Sequence, residues 1–208
     1  MRTRGYALCL FLAVLLVVLA APGAEAAETS TLSDEEAEVL LQEAIRYATI
    51  TWQIGDETHV GVPYLWGGRM TLSEFLAALE EGRNPAELGV DASGLLIGAL
   101  HGVSPNLRFR VPAGDGYRTT WNVNSSMLYA HNIIPVAVED LRPGDLIFFG
   151  SDGRIDGVAI YERTVDRNIR FVVASASAGK VVQTGANLDG EYWATRFAGA
   201  GRLLRIEE

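Results

Sequence analysis

The chain has 208 residues, which is room for one folded domain with a substantial core. Hydrophobic residues make up 49% and charged residues 21%, values that exclude a disordered chain and a polytopic membrane protein. Asp and Glu outnumber Lys and Arg by 26 to 17, and this net charge of −9 argues against nucleic acid or an anionic membrane surface as a partner.

The first 26 residues have the pattern of a secretory signal. Arg2 and Arg4 precede an unbroken apolar run over residues 6–21, and the small-residue triplet AEA follows at 24–26. The run is shorter than the ~20 residues that a bilayer span needs, which favours cleavage over a retained anchor. We expect cleavage after Ala26 and a soluble, secreted or periplasmic product without a membrane span.

Cys9 is the only cysteine, and it lies inside that apolar run. The chain after cleavage therefore has no thiol, no disulfide and no cysteine nucleophile.

Three helices are predicted in the first half of the remaining chain. Ser33 to Glu36 is a capping box that opens a helix over residues 34–52, and Thr71 to Glu74 opens a second helix over residues 72–81. Asp91 precedes an apolar run at 92–100, which predicts a buried helix with this aspartate as its N-cap.

The second half is rich in short strands. A long loop is predicted at residues 103–124 and a short helix at 125–131. Apolar, β-branched runs bounded by turn residues then predict strands at 134–138, 145–150, 157–162, 170–175, 180–184 and 202–206. Because helices come first and strands second, we expect an α+β domain with N-terminal helices packed on a mostly antiparallel sheet. The expected organisation is a signal at 1–26, a helical lead-in at 27–46 and one domain at 47–208.

Four segments carry a family resemblance when they are taken in order. They are VPYLWGG at 62–68, DASGL at 91–95, LRPGDLIFF at 141–149 and GVAIY at 157–161. Together they resemble the NlpC-type cell-wall peptidases, a papain-like family that hydrolyses peptide bonds in peptidoglycan stem peptides. The resemblance implies the papain-like fold over nearly all of the chain that follows the signal.

The resemblance also implies where the catalytic groups of the family would stand. The family places a cysteine nucleophile at the helix N-terminus, a histidine base on a following strand and a polar orienting residue on the next strand. The corresponding positions here are Ala92, Gly157 and a position near Val173. A methyl group cannot attack a carbonyl, so the scaffold is retained while the catalytic groups are absent.

Other residues offer weak substitutes for the lost groups. Ser93 is a possible nucleophile, but no histidine is in line with it. His59, His101 and His131 are isolated in the sequence, so neither a metal site nor a cofactor is expected. Asp91 and Asp156 could act as an acid–base pair. The favoured interpretation is structural, with Asp91 as a helix N-cap and Asp156 as a turn residue.

A recognition role is implied for three retained positions. In family members that cut beside a free N-terminal alanine, the positions of Tyr64, Asp91 and Ser93 hold the substrate amine. A carboxylate with two hydroxyls suits an ammonium group. The alternative is structural, with Asp91 as a cap, Tyr64 as a packed aromatic ring and Ser93 as a first-turn helix residue.

The sequence thus predicts a catalytically inactive relative of stem-peptide endopeptidases that binds cell-wall peptides or an envelope protein. Two alternatives stay open: a hydrolase that uses Ser93, and a structural adaptor whose groove is plugged by residues 103–124. The segment at 69–90 is longer than in many relatives and is either a lid or a docking surface.

Overall fold

The structure is a computed structural model that describes residues 30–207. The predicted signal at 1–26, with Cys9, lies outside the described residues. Among the residues described, no helix is both long enough and apolar enough to cross a membrane.

In chain order the helices are α1 (Asp34–Thr49), α2 (Leu72–Glu80), α3 (Ala92–Val103), α4 (Ser125–His131) and α5 (Glu191–Arg196). The helices α1, α2 and α3 begin where their capping residues predict, whereas α5 was not predicted and its N-cap, Gly190, makes no side-chain hydrogen bond. Ser33 and Glu36 form the reciprocal bonds of a capping box, and Thr71 and Glu74 do the same. Asp91 caps α3 as predicted, since its side chain accepts a hydrogen bond from the Gly94 backbone N–H.

The strands form one large antiparallel sheet and two separate hairpins. They are β1 (Thr51–Ile54), β2 (Glu57–Val60), β3 (Phe109–Ala113), β4 (Gly116–Thr120), β5 (Ile133–Pro135), β6 (Leu146–Ser151), β7 (Arg154–Val165), β8 (Asn168–Ser175), β9 (Lys180–Asn187) and β10 (Phe197–Leu203). The six-stranded sheet has the order β5-β10-β6-β7-β8-β9, and β1–β2 and β3–β4 are the two hairpins. The predicted α+β class with an antiparallel sheet is confirmed.

Three local predictions are wrong. The first helix ends at Thr49, before the predicted 52, because the β-branched pair Ile50-Thr51 and the turn at Gly55 turn the chain into the β1–β2 hairpin. The predicted loop at 103–124 contains the β3–β4 hairpin, which a two-residue turn at Gly114 and Asp115 closes. The last strand runs over Phe197–Leu203, earlier than the predicted 202–206.

Alternate residues of the sheet face two different sides. Phe148, Val158 and Val172 join the main core with apolar residues of α1 and α3. Phe149, Ala159 and Phe171 face the other side, where Trp193 of α5 covers them. Because α3 packs on β7 and β8, Ala92 lies at the N-terminus of a buried helix against the antiparallel sheet, as predicted.

Candidate functional site

The VPYLWGG segment packs tightly on the N-terminus of α3. The carbonyl oxygen of Gly68 lies so close to Gly94 that a Cβ atom added to Gly94 would be 2.0 Å away from it. The Asp91 backbone N–H also donates to the Gly68 carbonyl at 3.2 Å. These contacts fix the motif loop beside Ala92 and require a glycine at residue 94. Gly68 is needed for a different reason, since a Cβ atom added there would lie 2.3 Å from the Gly89 carbonyl oxygen.

Asp91 is the centre of a hydrogen-bond cluster. Its Oδ1 atom accepts from the Gly94 backbone N–H at 2.7 Å and from the Ser93 hydroxyl at 2.9 Å. The same oxygen accepts from Arg69 Nη1 at 2.6 Å, and Oδ2 accepts from the Gly67 backbone N–H at 3.0 Å. The carboxylate is therefore engaged by four donors of the chain itself.

Arg69 is held from the opposite side as well. Its Nε donates to the Asn122 side-chain oxygen at 2.8 Å, and its Nη1 also donates to the Gly68 carbonyl at 3.2 Å. Its side chain is 23% exposed, against 16% for that of Asp91. Arg69 was not identified from the sequence, because its partners are 22 and 53 positions further along the chain.

A cavity of about 370 Å³ opens beside this ion pair. Its wall is largely polar and consists of Tyr64, Trp66, Gly67, Arg69, Asp91, Ala92, Ser93, Asn124, Ser125, Ser126, Ile155 and Asp156. Trp66 is 85% exposed at the rim, so its ring is available for a ligand to stack on.

A second cavity of about 670 Å³ lies on the sheet side of Ala92. Gly157, Val173 and Phe171 line it, and Tyr64, Ala92 and Asp156 form a wall common to both cavities. We call the two cavities together the groove. The structure thus brings Ala92, Gly157 and Val173 to one cavity, and these are the positions that the family resemblance assigns to nucleophile, base and orienting residue.

None of these three positions carries a group that can attack or move a proton. Gly157 would accept a Cβ atom, which would make an ordinary van der Waals contact with the Phe149 Cβ at 3.6 Å. Among the described residues, no histidine lines the groove. His59 stacks on Trp52, His101 packs edge-on against Trp121, and His131 contacts Tyr117 in the same way.

The candidate substitutes are engaged in other contacts. Ser93 is 3% exposed, and its hydroxyl donates to Asp91. Asp156 and Asp91 do line one cavity, but Asp156 accepts from Arg196 Nη2 at 2.7 Å while Asp91 is paired with Arg69. Asp156 is the residue left unpaired where β7 bulges against β6, which directs its side chain to the groove. Within the described residues, no group of three potential ligands is arranged to hold a metal ion.

Tyr64 keeps a protonated hydroxyl at the shared wall. Burial, and to a lesser degree the nearby Asp91 carboxylate, raise the pKa of Tyr64 above its ordinary value. The phenol is therefore a hydrogen-bond donor at neutral pH.

Comparison with known proteins matches residues 61–202, more than half of the chain, to the NlpC/P60 family. A murein DD-endopeptidase, MepH of Escherichia coli K12, is 27% identical over 145 residues, which cover 70% of this chain and 42% of that protein. A crystal structure from Staphylococcus aureus, described as similar to lipoprotein and of the NLP/P60 family, matches with a TM-score of 0.49 and 21% identity over 86% of this chain and 45% of that one. The chain thus spans less than half the length of either protein. The ordered motifs, the antiparallel sheet under α3 and the family match agree, and the chain belongs to the NlpC/P60 family.

Proposed function

We propose that this domain is a non-hydrolytic member of its family that binds peptidoglycan stem peptides in the groove. The observation that carries the proposal is the groove itself, which stays open on both sides of Ala92 although the side chains that would cut a peptide are missing. A family whose relatives include a murein endopeptidase makes cell-wall peptides the expected ligands.

The two alternatives have less support. A structural adaptor would need its groove filled by residues 103–124, yet of that segment only Asn124 lines the groove and the β3–β4 hairpin does not. A Ser93-dependent hydrolase would need a free hydroxyl beside a base, whereas the Ser93 hydroxyl is buried and donates to Asp91.

Hydrolysis and binding are tested separately on the purified protein. Incubation with digested peptidoglycan, followed by mass spectrometry, is expected to show no new fragments. Calorimetric titration with stem peptides is expected to show saturable binding. New fragments that disappear in Ser93→Ala would establish the hydrolase alternative instead.

A groove-filling variant locates the binding. Gly157→Phe adds a ring at the wall of the groove, and its Cβ atom would make an ordinary van der Waals contact with the Phe149 Cβ at 3.6 Å. Gly116→Phe is the matched control, because Gly116 lies on the β3–β4 hairpin, where an added Cβ has no neighbour within 4 Å. We expect Gly157→Phe to weaken peptide binding at least tenfold and Gly116→Phe to leave it unchanged. Equal binding by both variants would place the peptide elsewhere.

We also propose that the protein works outside the cytoplasm, after cleavage behind Ala26. Intact-mass measurement of the protein from its native host is expected to give a chain that begins at or near Ala27. A full-length product retained in the membrane would contradict this.

A further inference from the structure

The place where a ligand ammonium would bind is already occupied by a cation of the chain. A substrate amine bound by Asp91 would take the position that the Arg69 guanidinium holds, 2.6 Å from Oδ1. The same oxygen also accepts from Ser93 and Gly94, so its hydrogen-bonding capacity is used. The Ser93 hydroxyl directs its proton to Asp91 and is not free to serve a ligand oxygen or nitrogen as donor.

Arg69 cannot leave this position without losing several contacts. Besides Asp91, it donates to the Asn122 side chain at 2.8 Å and to the Gly68 carbonyl at 3.2 Å. The ion pair is largely shielded from water, so removing one partner would leave the other charge poorly compensated. The other carboxylate of the groove, Asp156, already accepts from Arg196 at 2.7 Å. A free ammonium group that enters the groove would therefore lose water while both carboxylates are already paired with guanidinium groups of the chain.

We infer that the groove selects peptides whose N-terminal nitrogen is acylated, and that Arg69 is the residue that sets this specificity. This inference rests on the proposed function. An acylated nitrogen is a neutral amide, so it brings neither the repulsion from Arg69 nor the cost of desolvating a charge. The space for the acyl group is the cavity of about 370 Å³ that continues past Arg69 to the exposed Trp66 ring.

Two peptides of identical stem sequence, one with a free N-terminal amine and one N-acetylated, test the inference by calorimetry at pH 7. We expect the wild-type protein to bind the acetylated peptide at least tenfold more tightly. Arg69→Gln keeps a hydrogen-bonding side chain but removes the charge, and it should reduce that preference to less than threefold. Arg83→Gln is the control, because it removes the same charge from the same 69–90 segment at a position that does not line the groove. This variant should keep the preference for the acetylated peptide.

A pH titration of the wild-type protein gives a second measurement that does not depend on how a variant folds. A free α-amino group has a pKa of about 8, so raising the pH from 7 to 9 neutralises it. Binding of the free-amine peptide should then approach that of the acetylated peptide, whose own affinity should change little.

The possible failures are distinguishable. If neither peptide binds the wild-type protein, the proposed function fails and the inference fails with it. If both bind and the free-amine peptide binds equally well or better, only the inference is overturned. A tenfold preference that persists in Arg69→Gln would overturn the role of Arg69.

Discussion

Ala92 and Gly157 occupy the positions that the family resemblance assigns to the nucleophile and the base. The helix N-terminus under Ala92 still favours a negatively charged group, and Gly157 has room for a side chain. In the proposed non-hydrolytic role, what these two positions lack is therefore the reactive side chains, while the helix end and the space for a Cβ atom at residue 157 are present.

Restoring both groups should recover only a trace of hydrolysis. In Ala92→Cys alone, a thiol with an ordinary pKa near ~8.5 has no imidazole to take its proton or to return one to the leaving amine. Ala92→Cys combined with Gly157→His supplies both, but Val173 gives the imidazole no orienting partner. We expect slow release of fragments by the double variant and none by either single variant, measured by mass spectrometry after long incubation.

The control for this experiment pairs the same cysteine with a distant histidine. Ala92→Cys with Gly116→His should be inactive, because residue 116 lies on the β3–β4 hairpin. Turnover by that pair, or by the cysteine variant alone, would show that a base other than residue 157 is available.

Trp66 is expected to matter for binding and not for folding. Its ring is 85% exposed, so Trp66→Ala removes almost no buried surface and should change the free energy of unfolding by less than about 0.5 kcal/mol. Loss of a stacking surface should weaken stem-peptide binding by about 0.5–1.5 kcal/mol, or roughly twofold to thirteenfold. Tyr117→Ala, an exposed aromatic on the β3–β4 hairpin, is the control and should bind normally. Unchanged binding by Trp66→Ala would remove this ring from the site.

At the scale of elements, the contact between α3 and the VPYLWGG segment depends on the absence of a side chain at residue 94. Gly→Ala inside a helix ordinarily stabilises it by about 1 kcal/mol. Gly94→Ala should instead destabilise the protein by about 2 kcal/mol or more, because the new methyl group would lie 2.0 Å from the Gly68 carbonyl oxygen. Urea unfolding followed by circular dichroism measures the difference.

Gly102→Ala in the same helix is the matched control. There the new methyl group meets the flexible side chain of Glu43, with its Cγ at 3.2 Å, and that side chain can move. Its stability should stay within about 1 kcal/mol of wild type. Similar losses in both variants would mean that general crowding around α3, and not the Gly68 contact, limits residue 94.

The elements that were predictable from the sequence are those with local signals. Ser33 and Thr71 are N-caps, and each is followed three residues later by a glutamate. Both pairs form the capping boxes that this spacing predicts. The first helix was predicted too long because Trp52 continues the apolar pattern of α1. In the structure, Trp52 is buried from a strand, and its indole N–H donates to the Gly61 carbonyl at 3.0 Å.

The site was predictable only in part, for the same reason. The N-cap role of Asp91 depends on adjacent residues and was identified. Its ion pair with Arg69 joins residues 22 positions apart, and only the packing of the motif loop on α3 brings them together. The sequence did contain one signal for this ion pair. Arg69 directly follows VPYLWGG, and the resemblance places that motif beside the helix that Asp91 caps. The ion pair of Asp156 with Arg196 joins residues that are even further apart, 40 positions along the sequence.

At the scale of the whole molecule, Glu36 links the start of α1 to the end of the chain. Burial opposes its ionisation, but hydrogen bonds from Ser33 and the guanidinium of Arg205 outweigh this and lower the pKa of Glu36 below its ordinary value. The unfolded chain therefore takes up a proton at a higher pH than the folded chain does. The stabilisation is complete above the unfolded pKa and is lost as the pH falls through the folded one.

Glu36→Gln should make the free energy of unfolding depend less on pH in the acid range. Its free energy of unfolding at pH 7 should fall by roughly 0.5–1 kcal/mol, and the difference from wild type should shrink as the pH drops from 5 to 3. Urea unfolding across that range measures the effect, with the exposed neighbour Glu35→Gln as the control. A constant difference at every pH would mean that the substitution acts through packing and not through charge.

The described ends of the chain lie side by side. The Arg205 backbone N–H donates to the Ser30 carbonyl at 2.8 Å, and Thr31 and Leu204 form an antiparallel bridge. A short linker from Glu207 back to Ser30 would close the polypeptide into a ring without crossing the groove residues. New ends opened at the Gly114-Asp115 turn would then give a circular permutant, and its groove should retain the ligand affinity of the natural order.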